Sequence, residues 1–323
     1  MIGRITQLMS TQQVLSEINQ SQSALDATEQ ELSSGLSINQ PSDNPYGASL
    51  AVSLNDNLSA LNGYANNVTD GTAWTQAADS SMQGIAGAIQ TAQDLVVQAS
   101  NGTMSSSDLA DSAAEINQII DSVKQTANTQ YNGQYIFSGS ATATAPYSTA
   151  IPPSSSTTDP YGGDTGAVTR EIGPGSSLQV STGVVGGPGG GISQLLGTGQ
   201  GPNGVAGDGL LLDTLRTVAD DMTGTNGGTV GDLSNQLKAL GSNLSTLEQM
   251  QATMGGAEDR LTLASTQIQS LQNSSTAALS NDEDANMATT MTTYSNQEAA
   301  FTAALKAGAS IVQTSLMDFL STN

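Results

Sequence analysis

Cysteine and histidine are both absent from this 323-residue chain. The first absence excludes a disulfide framework, a thiol nucleophile and a thiolate metal site. The second removes the commonest general base and the commonest transition-metal ligand. Basic residues are scarce as well: 7 Lys and Arg stand against 29 Asp and Glu, for a formal net charge of −22. Nucleic-acid binding needs Lys or Arg to displace phosphate counterions, and an anionic membrane surface makes a similar demand, so this balance argues against both. Aromatic residues make up 3% and hydrophobic residues 37% of the chain, which suits thin helical bundles better than one deep core. No apolar run approaches the length of a membrane-spanning helix, and Met1 to Ser10 lacks the unbroken apolar centre of a cleaved signal peptide. A protein that stays in the cytoplasm, or one exported without such a peptide, is expected.

What the sequence does contain is helical periodicity at both ends. Ile5, Leu8, Leu15, Ile18, Leu25 and Leu32 recur at steps of three, four or seven, a narrow seam rather than the broad apolar face of a globular core helix. The eight aliphatic or Met residues from Ile5 to Leu32 gain roughly 1.5 to 3 kcal/mol each if fully buried. Ordering the backbone costs about 1 to 2 kcal/mol per residue, a larger total. Such a helix is marginal alone in water, and docking against a partner is expected to order it. It should halt at Ser33-Ser34-Gly35 and pass into the loop Asn39-Gln40-Pro41-Ser42-Asp43-Asn44-Pro45. A second helix should follow at once, with Ser42 or Asp43 capping its start and Ala48, Leu50, Ala51, Leu54, Leu58 and Leu61 on one face. Its pattern continues through Trp74, read as buried packing, to about Gln98.

The spacing predicts a further helix from Leu109 to about Thr129. Beyond it, alternation and aromatics replace the helical period at Tyr131 to Gly139, and Asn132-Gly133 is a strong tight-turn signal. The stretch from Gly139 to Gly209 holds seven of the nine prolines and 18 of the 35 glycines. Short strand candidates at Ala167 to Ile172 and Leu178 to Val185 mark it as a small β-rich insertion. Gly186 to Gly191 reads as a loop, because no Gly-Lys-Ser/Thr ending supports a phosphate cradle.

Helices return at Leu210 to Met222 and at Leu233 to about Gln272. In the latter, Leu233, Leu240, Leu247, Met254, Leu261 and Ile268 keep unbroken seven-residue spacing. The last segment, about Asp284 to Leu320, mirrors the first: Met287, Met291, Tyr294, Phe301, Leu305, Val312 and Phe319 fall on two seven-residue series. The fold class expected is mainly α with an inserted β domain. It is an elongated hairpin with paired N- and C-terminal coiled-coil helices, a helical-bundle rod domain and a small β-rich outer domain. The boundaries are 1–45 with 280–323 for the terminal helices, 46–139 with 210–279 for the rod, and 140–209 for the outer domain.

The run from Leu32 to Pro45 resembles the end of the first helix and the following loop in flagellin-like axial proteins of the bacterial flagellum. Ser295 to Phe301 and Ser315 to Leu320 are similar to that group's terminal helix. Arg4-Ile5-Thr6 with Met9, Tyr135 to Gly139, and Met254-Gly255 through Leu261 add three further matches. Within the group, Pro41 and Pro45 follow the junction-protein pattern, as does the Ser-Leu-x-Asp-aromatic-Leu ending, whereas flagellins usually carry a Ser-Ala-Lys-Asp-Asp-Ala type of sequence there. Leu36 and Ser37 stand where the family often has basic residues, and Asn44 where it often has Asp.

The resemblance implies a structural protein, not an enzyme, with no cofactor and no bound metal. It implies export without a cleaved signal peptide, through the type III export apparatus with a flagellar export chaperone, to the extracellular hook–filament junction. There the copies would form a ring between hook-associated protein 1 and flagellin. The assembly seam expected is Ile5, Leu8, Leu15, Ile18, Leu25, Leu32, Met287, Met291, Tyr294, Phe301, Leu305, Val312 and Phe319. The junction loop expected is Gly35, Asn39, Pro41, Ser42, Asp43 and Pro45. Two alternatives stand beside this reading: flagellin, the filament subunit, and an adhesive or glycan-binding module in residues 140–209, with Tyr147 and Tyr161 as stacking faces and Asp159 and Asp164 as polar contacts. An acidic run, Asp282-Glu283-Asp284, reads as a solvated turn rather than a cation site, and Asp220-Asp221 as an exposed helix end.

Overall fold

The structure, a computed structural model, describes residues 2–150, 159–181, 192–197 and 208–321. Its architecture is mainly helical. Helix α1 spans Ile2–Ser34, α2 Pro45–Ser100 and α3 Ser106–Ala127. Hairpin β1–β2 (Gln130–Tyr131, Gln134–Tyr135) and hairpin β3–β4 (Thr169–Gly173, Ser176–Gln179) follow, both antiparallel. Then come a one-turn α4 (Ser193–Leu196), α5 (Leu211–Thr223), α6 (Leu233–Glu283) and α7 (Met287–Ser321). The heptad helix thus runs well past Gln272, to Glu283. The expected Gly186 to Gly191 loop lies outside the described residues, as does the end of the Leu178 to Val185 strand.

Local chemistry accounts for the boundaries. Asn44, not Ser42 or Asp43, caps α2: its Oδ1 accepts from the Gly47 amide at 3.0 Å, and its carbonyl takes Ala48 N at 2.8 Å. Pro45 then occupies the first helical position, where its missing N–H costs no helical bond. Helix α3 starts on a reciprocal capping box between Ser105 and Asp108. The hydrogen bonds from Ser105 hold the Asp108 carboxyl below its usual range. Asn132 and Gly133 both take positive φ (49° and 76°), as a two-residue hairpin turn requires.

The chain divides into two compact units, residues 1–60 with 270–323 and residues 61–269, so α2 and α6 contribute to both. In the second unit one apolar cluster joins Met82, Ile85 and Ile89 of α2, Ile116, Ile120 and Val123 of α3, and Leu215 and Val218 of α5 to the α6 heptad series. Leu233, Leu240, Leu247, Met254, Leu261 and Ile268 are all buried. Trp74 is buried as well, edge-on to Tyr131, with the Arg170 guanidinium 5.7 Å from its ring centre. In the first unit α1 and α7 pack along each other.

Candidate functional site

The candidate site is the surface built by α1, α7 and the loop between α1 and α2. Two contacts fix the direction of the helix pair. Thr28 Oγ1 donates to Gln297 Oε1 at 2.5 Å, and a Cβ added to Gly308 would come within 3.1 Å of Ile18 Cδ1 and 3.2 Å of Val14 Cγ1. As α1 advances, its partner residue on α7 recedes, so the pair is antiparallel. The packed stripe of α1 runs Val14, Ile18, Ser21, Leu25, Thr28 and Leu32, at alternating steps of four and three; only Thr28 is fully buried. On α7 the matching stripe is Thr290, Tyr294, Gln297, Phe301, Ala304 and Gly308, of which Thr290 and Gly308 are buried. Small and polar residues occupy half of these positions, so the helices approach closely yet bury little apolar area.

The structure therefore sorts the expected seam. Ile18, Leu25, Leu32, Tyr294 and Phe301 lie half-buried on the packed stripes. Leu15 (55% exposed), Met287 (48%), Met291 (67%) and Leu305 (43%) lie off them and face solvent. Ile5, Leu8, Val312 and Phe319 belong to α1 and α7, but their side chains lie outside the described residues. One apolar residue per turn cannot be assigned to the inner or outer side of a helix by seven-residue spacing alone. That is why Leu15, one position from Val14, looks equivalent to it in the sequence.

The junction loop folds on itself. Gly35 ends α1 in the left-handed region (φ +75°), where a side chain is strained, and its amide returns to Glu31 O at 2.8 Å. Asn39 Nδ2 donates to Leu36 O at 2.9 Å, and Asp43 Oδ2 accepts from the amides of Asn39 (3.1 Å) and Gln40 (2.8 Å). Gln40 to Asp43 forms a turn closed by Asp43 N to Gln40 O at 3.0 Å, with Pro41 at the position whose φ proline presets. Leu36 pairs with Asp284, the Ser37 amide and hydroxyl reach Glu283 O at 2.7 and 3.0 Å, and Ala285 N reaches Gly35 O at 2.9 Å. The acidic run is thus the end of α6 clamped to this loop, and no group of three His, Cys, Asp or Glu suited to a metal occurs among the described residues. Pro41, Ser42, Asp43 and Pro45 remain exposed, as does Tyr46 beside them (79%).

Of the stacking and polar contacts expected in residues 140–209, Tyr147 and Asp159 are buried and Tyr161 and Asp164 half-buried. Tyr147 is buried, tilted against Tyr161 at 5.7 Å, and its hydroxyl donates to Gly197 O at 2.5 Å. Burial pushes its pKa well up. The Tyr161 hydroxyl donates to Phe137 O at 2.7 Å, and burial raises its pKa too. Asp159 is a buried ion-pair centre, held by Lys124 Nζ at 2.5 Å and by Arg216 Nη2 and Nε at 2.5 and 3.0 Å. Asp164 accepts from Ser140 and from the Gly166 amide, which hold its carboxyl below the usual range. Asp159 thereby fastens its loop to α3 and α5, whereas Tyr147, Tyr161 and Asp164 tie loop segments to one another. Asp221, expected at an exposed helix end, is also buried, and its Oδ2 has no hydrogen-bond partner. Burial, then the nearby Asp232, raises its pKa. Sequence reasoning missed the Lys124–Asp159–Arg216 cluster because its members are separated along the chain and no local pattern links them.

Comparison with known proteins places this arrangement. A family model of the bacterial flagellin N-terminal helical region matches residues 5–142. Flagellar hook-associated protein 3 of Salmonella typhimurium is 35% identical over 170 residues, 52% of this chain and 51% of that protein. Phase 1 flagellin of Salmonella naestved is 35% identical over 122 residues, 38% of this chain and 24% of that protein. The chain thus spans about half the length of the hook-associated relative, and less of the flagellin. The crystal structure of flagellar hook-associated protein 3 from Legionella pneumophila shares the fold, with a TM-score of 0.57 at 16% identity, covering 71% of this chain and 97% of that one. In sequence over its first helices, and in fold over most of its length, the chain is similar to the flagellin-like axial proteins, and among them to flagellar hook-associated protein 3, FlgL.

Proposed function

We propose that this protein is a structural junction subunit of the bacterial flagellum, joining the hook-associated ring to the flagellin filament through coiled-coil packing of its terminal helices. The observation that carries the reading is the half-finished α1–α7 pair: its stripes are only half-buried, and Leu15, Met287, Met291 and Leu305 are left in solvent. Those four residues gain roughly 1.5 to 3 kcal/mol each only when something covers them. Neighbouring copies would do so, which couples helix ordering to assembly. Contacts between unlike surfaces of identical copies generate rings or helical tubes.

In this reading the seam residues contact other copies, and the self-closed loop from Gly35 to Pro45 meets a neighbour as a preformed element. The partners are further copies of this chain, hook-associated protein 1 on one side and flagellin on the other. The export chaperone and type III export apparatus act before assembly, and the working location is the extracellular hook–filament junction. Residues 140–209 form a variable outer part with no catalytic role. The similarity to flagellin over 122 residues favours one second reading, the filament subunit itself. Electron microscopy of cells carrying a tag within residues 140–209 separates the two. Label confined to the hook–filament boundary is expected, and label along the filament would make the protein a flagellin.

A further inference from the structure

We propose that Met287 and Met291 form a methionine oxidation site at which a hydroperoxide switches off docking of the terminal unit. Cysteine is absent, so thioethers are the softest oxidisable groups in the chain. Among the described methionines, Met82 and Met250 are 0% exposed and Met222 and Met254 3%, all inside the apolar cluster, Met104 is half-buried against it, and Met9 (63%), Met287 (48%) and Met291 (67%) are exposed. Met287 and Met291 stand four residues apart in the first turns of α7, so their side chains share one helical face, whereas Met9 is on α1. The start of that stretch is fastened: Asn286 caps α7 by accepting from Thr289 N and Thr290 N, and the preceding Ala285 donates to Gly35 O.

The chemistry is balanced by the oxidant alone. The thioether sulfur gives an electron pair to the distal oxygen of the hydroperoxide, the O–O bond breaks and an S–O bond forms. A proton passes to the departing oxygen, releasing water from hydrogen peroxide. Sulfur is oxidised, peroxide is reduced, and the product is a polar, chiral sulfoxide that disrupts an apolar contact. Placed on the face that the proposed function assigns to docking, two sulfoxides remove the gain that docking would supply. Assembled copies would shield the same sulfurs, so the site reacts in the free subunit. Leucine conserves volume and apolar character at both positions but lacks the sulfur.

The experiment treats the full chain with hydrogen peroxide, maps sulfoxide by peptide mass spectrometry and measures self-association by sedimentation. Met287 and Met291 are expected to oxidise at least tenfold faster than Met82, Met222, Met250 and Met254. The treated chain should self-associate at least tenfold more weakly, and methionine sulfoxide reductase should restore it. With Met9→Leu added to both the reference chain and the variant, a Met287→Leu, Met291→Leu double variant should keep on treatment whatever association its own untreated sample shows. Equal oxidation of all methionines, unchanged association of the treated wild type, or equal loss in the double variant would each overturn the proposal. This inference rests on the docking reading: failure of the untreated chain to associate counts against that reading, while the ranking of oxidation rates still decides the site.

Discussion

Residues 61–269 put their heptad series wholly inside, with Leu233, Leu240, Leu247 and Leu261 at 0% exposure, while residues 1–60 and 270–323 bury only Ile38 and Ala51 among their described apolar side chains. Both units are built from long helices with apolar residues at steps of three, four and seven. They differ in how many elements surround a seam. In the middle unit, α2, α3, α5 and α6 share one cluster, so each apolar stripe meets several neighbours. In the terminal unit the α1 and α7 stripes meet through Thr28, Gln297 and Gly308, small and polar residues that bury little apolar area. Charge follows the same division. The three ion pairs among the described residues all lie in the middle unit. The terminal unit holds its helices with backbone pairs at the junction loop and with small-residue packing. The lesson is that equal periodicity does not mean equal burial: a seam is a core only where enough surfaces converge on it.

The comparison can be broken most severely at the middle unit's buried charge cluster. Asp159→Ala leaves the fully buried Lys124 and the largely buried Arg216 without their shared carboxylate, and removing one partner of such a buried pair costs about 3 to 5 kcal/mol. Thermal denaturation should show the middle unit melting early. An unchanged melting temperature would mean that the cluster does not anchor its loops.

A smaller effect of opposite sign is expected at Asp221. Its carboxyl is buried with an unpartnered oxygen, and burial and Asp232 raise its pKa above the ordinary 3.8. Above the raised folded pKa the charged form destabilises the fold. As pH falls, the folded state takes up the proton before the unfolded state does, so this penalty fades toward the ordinary carboxylate value. Asp221→Asn should therefore stabilise the chain by about 1 kcal/mol at neutral pH, the scale of an unsatisfied buried polar group, with the gain shrinking in acid. Denaturant titrations at pH 7 and pH 4 measure both; a gain that is the same at both pH values would assign the effect to something other than the carboxylate.

The smallest effect on folding, and the sharpest test of the contrast, belongs to Leu15→Asp. Because Leu15 is 55% exposed, the substitution should change monomer stability by no more than about 0.5 kcal/mol. Filament formation in cells that export the variant at ordinary levels should nevertheless fail. Normal filaments at normal export would remove Leu15 from the docking surface.

Much of this was readable in the residues, and the reasons are local. The helix start at Pro45 and stop at Gly35 follow from capping and backbone preferences that act within four residues, whereas α3, expected from Leu109, begins at Ser106 because the Ser105–Asp108 capping box extends it. The Asn132-Gly133 hairpin follows from the positive φ that its turn demands. Seven-residue spacing identified the α6 stripe that proves buried from end to end. It could not separate Val14 from Leu15, or place Thr28 and Gly308 in the packed stripe, because inward and outward positions differ by a rotation that only a partner helix defines. Tyr147 and Asp159 looked like surface contacts because their Pro- and Gly-rich surroundings read as exposed loop. Their burial depends on Lys124, Gly197 and Arg216, which are distant along the chain.

The sequence by itself determined that the chain is helical at both ends, lacks thiol and imidazole chemistry, carries a large negative charge and resembles flagellin-like axial proteins in its loop and terminal segments. Tertiary structure alone decided which seam residues are packed inside the molecule and which stay exposed. Periodicity is a property of one helix, whereas burial is a property of everything that packs around it.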